Sequence, residues 1–366
     1  MTARIYSWKR IGEAVARVVG TPVAHVVLLV LRLSGRKAGI ALMYHAVDEQ
    51  AGDAGRELVP AVASSVFEGQ IRHLKRRYRV VRAGDLPAAI AERRRGERYP
   101  VAITFDDDLR CHVAVALPIL ERVGVLATFF LTGVSLVHPF SFWWERLQRA
   151  LDQGVSNLAE LVGAADVGTC SNAHELVMFV QQLGPESRAT VEARLAGVAG
   201  IDPPDAGLRA ADVRKLVEAQ MEVGFHTLRH DNLSLLSDDM LAKAMEDGRG
   251  SLEEVVGGPL QIICYPYGYV DERVANAARV ARFVSGFTTK RVAVTPGSDP
   301  LQIGRWGPSA NSPGALAAQL VVALVRRGTY HPHRGDDANT LRTSLHSDAS
   351  HPGGGETSLR TRIRKP

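Results

Sequence analysis

The sequence predicts an α/β fold built on parallel strands, and three features indicate this class. Short apolar runs rich in β-branched residues alternate with segments whose apolar residues have helical spacing. Polar residues suited to catalysis stand where these runs end, as expected at the carboxyl edge of a parallel sheet. The 366 residues are 46% hydrophobic and 23% charged, a composition typical of a globular protein with a full core.

Charge and cysteine content narrow the function classes. The net charge is +5, with basic runs at Lys75–Arg77, at Arg93–Arg95 and at the C-terminus. No basic stripe with interleaved aromatic residues occurs, so we expect no nucleic-acid partner. Basic clusters favour an anionic membrane surface or an acidic polymer. The three cysteines are far apart and odd in number, which fits a reducing compartment rather than a disulfide framework: Cys111, Cys170 and Cys264.

The N-terminal segment, residues 1–38, contains an apolar stretch from Ala14 to Leu33. Four residues interrupt it: Arg17, Pro22, His25 and Arg32. The uninterrupted part at 26–31 is shorter than the ~20 residues that cross a bilayer, and no small-residue cleavage site follows a clean apolar core. We predict amphipathic helices that either pack on the domain or lie at a membrane surface, with an uncleaved anchor as a third alternative. We therefore expect a cytoplasmic protein, with peripheral membrane contact through this segment as one of the alternatives.

Residues 39–310 carry the main domain, in which strand and helix patterns alternate. The predicted strands are Gly39–His45, Arg79–Val81, Val101–Asp106, Ala127–Leu131, Glu222–Phe225, Leu260–Tyr265, Phe283–Thr289 and Pro300–Trp306. The predicted helices are Phe67–Tyr78, Leu86–Arg95, His112–Val123, Ala211–Met221, Asp238–Val256 and Asp271–Arg282.

An insertion and a tail depart from this alternation. Residues 140 to about 215 begin with an aromatic cluster and continue as helical segments, which indicates an inserted helical subdomain. Trp143 and Trp144 either stack on sugar rings or anchor the insertion to the rest of the domain. Residues 311–330 predict a C-terminal amphipathic helix, and the polar composition of 331–366 predicts disorder.

One predicted strand ends in three consecutive carboxylates, Asp106, Asp107 and Asp108. Each of these like charges raises the pKa of the next, so a buried strand end of this kind needs compensation. A bound cation is one explanation, because hard cations and Zn²⁺ both accept aspartate oxygens. The alternative is a solvated strand end whose aspartates cap the next helix.

A second strand ends in the pattern His-x-x-x-His, with His226 and His230. Imidazoles at i and i+4 fall on one side of a helical turn, so both can reach one metal ion. Two histidines with Asp107 leave one coordination position open, which is typical of catalytic rather than structural zinc. We expect a divalent metal, Zn²⁺ first, with cobalt, nickel, iron and manganese as alternatives.

These motifs resemble those of the polysaccharide deacetylases, the NodB-homology family. The resemblance rests on Thr104–Asp107, on His226–His230, on Tyr265–Gly268, and on Leu42–His45. It implies a distorted (β/α) barrel of about seven strands and hydrolysis of a linear amide C–N bond. The substrate that it implies is an N-acetylhexosamine unit of a polysaccharide or glycolipid, from which the acetyl group is removed.

Each motif residue then receives a role. Asp107, His226 and His230 hold the metal, whose bound water attacks the acyl carbon. Asp106 diverges from its neighbour and acts as the general base. The backbone N–H of Tyr267, in the turn between Pro266 and Gly268, stabilises the oxyanion. The resemblance implies the same roles for these aspartates, histidines and the tyrosine.

Three departures from the family pattern need explanation. Asp108 replaces the usual Gly, and Asp tolerates the unusual backbone angles of Gly better than most residues do. Cys264 stands where the family has an Arg that orients the base, and Arg305 is the predicted substitute for that Arg. Arg305 is also grouped with Tyr267 and Pro266 as a predicted oxyanion or substrate-binding residue. A late His that serves as general acid is missing, because no histidine occurs between His230 and His331. His45 is either the replacement acid or a hydrogen-bonded structural residue.

Two other functions remain open from the sequence. One is hydrolysis of a non-sugar amide on the same scaffold, because a scaffold determines its site better than its substrate. The other is a glycan-binding protein that has lost turnover, as the missing late His allows. The oligomeric state is left open.

Overall fold

Seven parallel strands form a nearly closed barrel in this computed structural model, which describes residues 20–53, 55–155, 158–163, 173–308 and 312–326. The strands are β1 Ile40–Tyr44, β2 Val47–Asp48, β3 Val62–Ala63, β4 Arg79–Val81, β5 Pro100–Asp106, β6 Thr128–Leu131, β7 Glu222–Phe225, β8 Ile262–Cys264, β9 Ser285–Phe287 and β10 Arg305–Trp306. Their order around the barrel is β10-β1-β5-β6-β7-β8-β9, and β4 pairs with the start of β5. Phe287 also bridges Ile303, just before β10, which brings the two ends of the sheet together. The predicted barrel of about seven strands is confirmed.

Helices cover the outside of this barrel and form the insertion. They are Gly20–Arg32, Ser64–Arg77, Leu86–Glu92, Leu117–Val123, Trp143–Asp152, Leu158–Leu161, Ala173–Gln181, Pro185–Ala199, Ala210–Glu218, Asp238–Glu246, Arg249–Val256, Glu272–Val280 and Pro313–Val325. The single helix predicted from Asp238 to Val256 is wrong, because Gly248 has a φ of +75° and divides it. The helix predicted from His112 begins as a π-helical turn, His112–Ala116.

Strand β5 lies at the centre of the core and is buried at all seven of its positions. Its side chains alternate between two apolar clusters. Ala102 packs inside the barrel with Phe130 and Ile262, whereas Ile103 and Phe105 pack outward against the helices. This burial on both faces explains the continuous apolar run of the sequence, which is typical of a parallel sheet.

The inserted helices have a hydrophobic cluster of their own. Its buried members include Phe142, Trp143, Trp144, Leu147, Val180, Val191 and Leu195. Tyr267, which follows β8 of the barrel, packs against this cluster. The aromatic start of the insertion therefore joins it to the carboxyl edge of the barrel.

The terminal helices pack on one another outside β1. Gly20–Arg32 contacts Pro313–Val325, which in turn contacts Ser64–Arg77. Among the residues that the structure describes, no helix has the length and apolar character to cross a membrane. Residues 1–19, the predicted disordered tail at 331–366 and Cys170 lie outside the described residues.

Candidate active site

The predicted site residues come together at the carboxyl edge of the barrel. His45 follows β1, Asp106 ends β5, His226 follows β7 and Tyr267 comes shortly after β8. Because all these strands are parallel, their carboxyl ends meet on one side of the barrel. Arg305 reaches the same edge of the barrel from β10, the strand that pairs with β1 on the side opposite β5.

Asp107, His226 and His230 form a three-residue group with the geometry of a metal site. One ligand atom from each residue lies within 4.8 Å of the others, and all three residues are buried. Both imidazole Nε2 atoms point at Asp107 Oδ1, at 3.6 Å from His226 and 3.4 Å from His230. His226 Nδ1 lies 2.8 Å from the Cys264 carbonyl oxygen, which orients the ring and leaves Nε2 as the ligand atom.

The two histidines do not converge by the predicted route. A helical turn was expected between them, but residues 226–230 form a tight turn in which the His230 N–H donates to the Thr227 carbonyl oxygen at 3.2 Å. Thr227 and His230 both have a positive φ, of 56° and 49°. This backbone brings the two rings to a centroid distance of 4.8 Å. The His-x-x-x-His spacing correctly indicated that the two imidazoles lie close together, whereas the predicted helical turn between them is wrong.

The electrostatics of this group suit a cation. Burial, with the neighbouring charges of Asp106 and Asp108, raises the pKa of Asp107 well above its usual range. Burial lowers the pKa of His226 to about 4 and that of His230 well below its ordinary value, so both imidazoles are neutral with free lone pairs. Asp107 Oδ1 is buried and accepts no hydrogen bond from any described residue. These residues therefore fit a divalent cation, which would supply the missing partner.

Asp106 is held by Arg305 in a fully buried, bidentate ion pair. Arg305 Nη1 and Nη2 each lie 2.6 Å from one carboxylate oxygen of Asp106. Burial alone would raise the pKa of Asp106, but the charge and hydrogen bonds of Arg305 outweigh burial and hold it well below its ordinary value. Asp106 is thus an anion at neutral pH.

Arg305 contacts Cys264, the residue that stands where the family resemblance implies an Arg. Its Nη2 lies 2.8 Å from Sγ of Cys264. Arg305 is 1% exposed, and its remaining donors go to the Thr288 carbonyl oxygen and Thr104 Oγ1. This geometry supports orientation of Asp106 and leaves no guanidinium group free for direct substrate contact.

Asp108 points away from the metal group and joins two neighbouring loops. Its carboxylate accepts hydrogen bonds from the Thr132 backbone N–H, from Thr132 Oγ1 and from Ser135 Oγ, at 2.8, 2.8 and 3.1 Å. The unusual backbone angle expected at Asp108 occurs instead at Asp107, with a φ of 72°. Asp108 therefore supports the loops that surround the site.

Tyr267 connects the metal group to the insertion. It lies in the turn Pro266–Gly268 with a φ of 59°, and its ring packs edge-on against His230 at 4.6 Å. Trp143 Nε1 donates to the Tyr267 hydroxyl at 3.0 Å. No hydrogen bond from the Tyr267 backbone N–H to another loop or strand occurs among the described residues, and its role as an oxyanion donor stays a prediction.

The two tryptophans of the insertion are buried, which supports the anchoring alternative. Trp144 stacks on Phe142 at a centroid distance of 4.5 Å and lies 4.8 Å from the His230 ring. Trp143 binds Tyr267 as described above. Neither ring presents an open face on which a sugar could stack.

His45 lies at the edge of the site and is partly buried. Burial lowers the pKa of His45, while the charge of Asp106 opposes this shift in part. Its carbonyl oxygen lies 3.1 Å from Nε2 of His112, which fixes the backbone at this point.

Arg188 is a site residue that sequence reasoning missed. It extends from helix Pro185–Ala199 of the insertion, is buried, and donates to the carbonyl oxygens of Arg229 and His230. It also pairs with buried Asp231 at 3.2 Å. In the sequence its only signal is an i,i+4 pair with Glu192, which resembles an ordinary surface pair.

Comparison with known families agrees with this geometry. The model of the family described as polysaccharide deacetylase matches residues 93–159 and 188–284, which include both aspartates, both histidines and Tyr267. Over these residues the chain is similar to the polysaccharide deacetylase family. The matched ranges do not include His45 or Arg305, and no curated protein matches the chain.

Solved structures of deacetylases share the fold of this chain. The deacetylase PplD of Streptococcus pyogenes, in complex with acetate, has a TM-score of 0.53 and 17% identity, covering 79% of this chain and 99% of that one. IcaB from Ammonifex degensii has a TM-score of 0.51 and 17% identity, covering 77% and 97%. A polysaccharide deacetylase from Bacillus cereus has a TM-score of 0.50 and 17% identity, covering 78% and 69%.

Proposed function

We propose that this protein removes N-acetyl groups from N-acetylhexosamine units of a polysaccharide or glycolipid, with a divalent metal, Zn²⁺ first, held by Asp107, His226 and His230. One observation carries the proposal. Two neutral imidazoles converge on a buried carboxylate oxygen that has no hydrogen-bond partner, beside a second carboxylate that is ionised. When bound, the cation supplies Lewis acidity toward the acyl oxygen and the attacking water.

The chain's own residues then handle the proton and the oxyanion. Asp106 accepts the proton of the water that attacks the acyl carbon, and Arg305 fixes the direction of its carboxylate. The Tyr267 backbone N–H donates to the developing oxyanion, and one such donor is typically worth about 3 kcal/mol. The C–N bond then breaks and the amine takes up a proton.

His45 is the proposed source of that proton. Because burial lowers the pKa of its imidazole, His45 is neutral at neutral pH and can donate only a proton that it has just received. In this proposal the proton taken by Asp106 passes through His45 to the amine. The cycle therefore ends with both groups in their initial states.

The test combines metal analysis with acetate release from short N-acetylglucosamine oligomers. Wild type and the matched control His138→Ala, which removes an exposed histidine, should bind near-stoichiometric metal and release acetate. His226→Ala should lose both. Asp106→Asn should keep the metal and lose turnover.

Two outcomes would contradict the proposal. A wild type that binds no metal, even after zinc is added back, contradicts the site. Bound metal without acetate release directs attention to a non-sugar amide, or to glycan binding without turnover.

A further inference from the structure

Helix Gly20–Arg32 is apolar on both its inner and its outer face. Ala24 and Leu28 are buried against the neighbouring helices. The opposite face exposes a stripe at positions three to four residues apart, here called the apolar stripe: Val23, Val26, Leu29, Val30 and Leu33. Val26 and Val30 are each 62% exposed and Leu29 is 58% exposed. Large exposed apolar surfaces of this kind mark interaction sites.

Basic residues lie beside the apolar stripe, and the helix that carries the stripe has no acidic residue. No Asp or Glu occurs from position 14 to position 47 of the sequence. A basic rim lies beside the stripe and consists of Arg32, Lys75, Arg76, Arg77 and Arg98. Lys75, Arg76 and Arg77 pair with no carboxylate among the described residues, whereas nearby Arg72 and Arg122 both pair with Glu68.

A small cavity with apolar and basic lining residues lies where the apolar stripe meets the basic rim. It has a volume of 180 Å³ and is lined by His25, Val26, Leu28, Leu29, Arg32 and Arg77. Four buried polar atoms at this helix junction have no hydrogen-bond partner in the described chain: His25 Nε2, Arg32 Nε, His73 Nε2 and Tyr78 Oη. His73 stacks on His25 at 5.5 Å and lies 6.0 Å from Tyr78, so these groups are neighbours. Of these four residues, His25 and Arg32 line the cavity, where the oxygens of a phosphate would accept hydrogen bonds from the Arg32 guanidinium.

The basic rim lies on the edge of the barrel opposite the active site. Arg77 comes just before β4 and Arg98 just before β5, and both strands begin at that edge. Helix Gly20–Arg32 leads into the amino end of β1. A partner bound to this face would therefore leave the carboxyl edge, with Asp107 and the histidines, open to solvent.

We propose that this face docks the protein on an anionic phospholipid bilayer. The apolar stripe enters the boundary between head groups and acyl chains, as interfacial helices do. The basic rim meets the anionic head groups, and one lipid phosphate occupies the cavity between Arg32 and Arg77. In this orientation the active site faces away from the membrane and into the surrounding solution.

Cosedimentation of the full chain with lipid vesicles tests this surface. Vesicles of mixed phosphatidylserine and phosphatidylcholine should bind the wild type, and vesicles of phosphatidylcholine alone should bind it far less. Each basic residue near an anionic surface contributes about fivefold to partitioning, so Arg76→Glu with Arg77→Glu should weaken binding to the mixed vesicles at least ~25-fold. Val26→Ser with Leu29→Ser should weaken it at least ~10-fold, because apolar burial is lost.

Matched controls separate the surface from general effects. Val280→Ser with Val284→Ser removes two exposed apolar side chains elsewhere, and Arg214→Glu with Lys243→Glu reverses two exposed charges elsewhere. Both controls should bind vesicles as the wild type does. Circular dichroism should show every variant folded.

Three results would overturn the proposal. The first is a wild type that binds neither vesicle, or stripe and rim variants that bind like their controls. The second is stabilisation by inorganic phosphate without vesicle binding, which would assign the cavity to a free anion. The third is a dimer in light scattering that Val26→Ser with Leu29→Ser dissociates while no vesicle is bound, which would assign the face to a second copy of the chain.

Discussion

Replacing Arg305 with Met removes the cation that holds the proposed base, while the side chain keeps a similar length. In the wild type both terminal nitrogens lie 2.6 Å from Asp106, in a place without solvent access. The substitution also leaves Thr104 Oγ1 and the Thr288 carbonyl oxygen without a partner that they now have. Asp106 becomes a buried carboxylate with no cationic protein partner in direct contact.

Because the ion pair is buried, Arg305→Met should lower the stability of the fold. Removing one partner of a buried ion pair lowers the free energy of unfolding by roughly 3–5 kcal/mol. In the wild type, the pair's contribution is present above the unfolded aspartate pKa of about 3.9 and is lost as pH falls through the lower folded value. In Arg305→Met, burial is no longer outweighed, so the pKa of Asp106 rises above its ordinary value and the proposed base becomes protonated at higher pH.

The assay is acetate release as a function of pH, with urea unfolding and metal content measured in parallel. We expect kcat at neutral pH to fall about 10²-fold or more, because general base catalysis typically contributes that much. Activity should recover in part as pH rises, and bound metal should remain. Arg305→Lys should keep the positive charge but lose the bidentate geometry, so its kcat should lie between those of the wild type and Arg305→Met.

Arg93→Met is the matched control for this experiment. Arg93 is also buried, and its guanidinium donates to carbonyl oxygens near the amino end of β1, such as that of Arg36 at 2.7 Å. It should lose stability without any change in the pH profile of kcat. Our assignment of Asp106 would be refuted by an Arg305→Met enzyme that keeps the wild-type pH profile.

Three further predictions concern neighbouring residues. Arg188→Met should weaken metal affinity 10–100-fold, because the loop that carries His230 loses its support. The control Arg146→Met breaks an ion pair with Asp202 in the same insertion and should lower only the stability of the fold. Equal metal affinities of the two variants in a metal titration would contradict the role of Arg188. Burial lowers the pKa of His112 to about 4, so between pH 6.5 and 4 the unfolded chain binds more protons than the folded one, and the free energy of unfolding falls as pH drops. His112→Gln should reduce the slope of the free energy of unfolding against pH, measured by urea unfolding, by about 1.4 kcal/mol per pH unit. An unchanged slope would contradict this prediction. Asp108→Asn should lower the free energy of unfolding by about 1–3 kcal/mol, because an amide cannot accept all the hydrogen bonds from Thr132 and Ser135. The metal stoichiometry should stay the same. Loss of metal would show that Asp108 acts on the site directly.

The barrel and the convergence of the main site residues were predictable from local sequence. Apolar runs that end in Asp106 or His226 indicate buried parallel strands, and parallel strands bring their carboxyl ends together. No knowledge of side-chain geometry is needed for this step. The same argument places His45 and Tyr267 at the shared edge, because each follows a short apolar run.

Other features depend on contacts between distant segments, which local patterns do not encode. Arg305 meets Asp106 across 199 positions, and the sequence suggested it only because the motif Arg was missing. Arg188 gave no distinguishing signal, because an Arg and a Glu four residues apart on a helix are normally a solvated pair. The helical interpretation of His-x-x-x-His failed because the spacing fixes which residues are near, whereas backbone angles fix how they meet.

Those backbone angles explain why the insertion belongs to the site. Asp107, Thr227, His230 and Tyr267 all have a positive φ, a conformation that costs of order 1–3 kcal/mol for each residue without compensation. Two of the three proposed metal ligands are among them. Such strain persists only where surrounding contacts fix the backbone.

The insertion supplies several of those contacts. Arg188 binds two carbonyl oxygens of the strained His230 loop, Trp144 packs on the His230 ring, and Trp143 binds the Tyr267 hydroxyl. A barrel without these helices would keep its strands but would lose the forces that hold the loop in its strained form. Metal affinity should therefore depend on the insertion, even though none of the three proposed ligands comes from it.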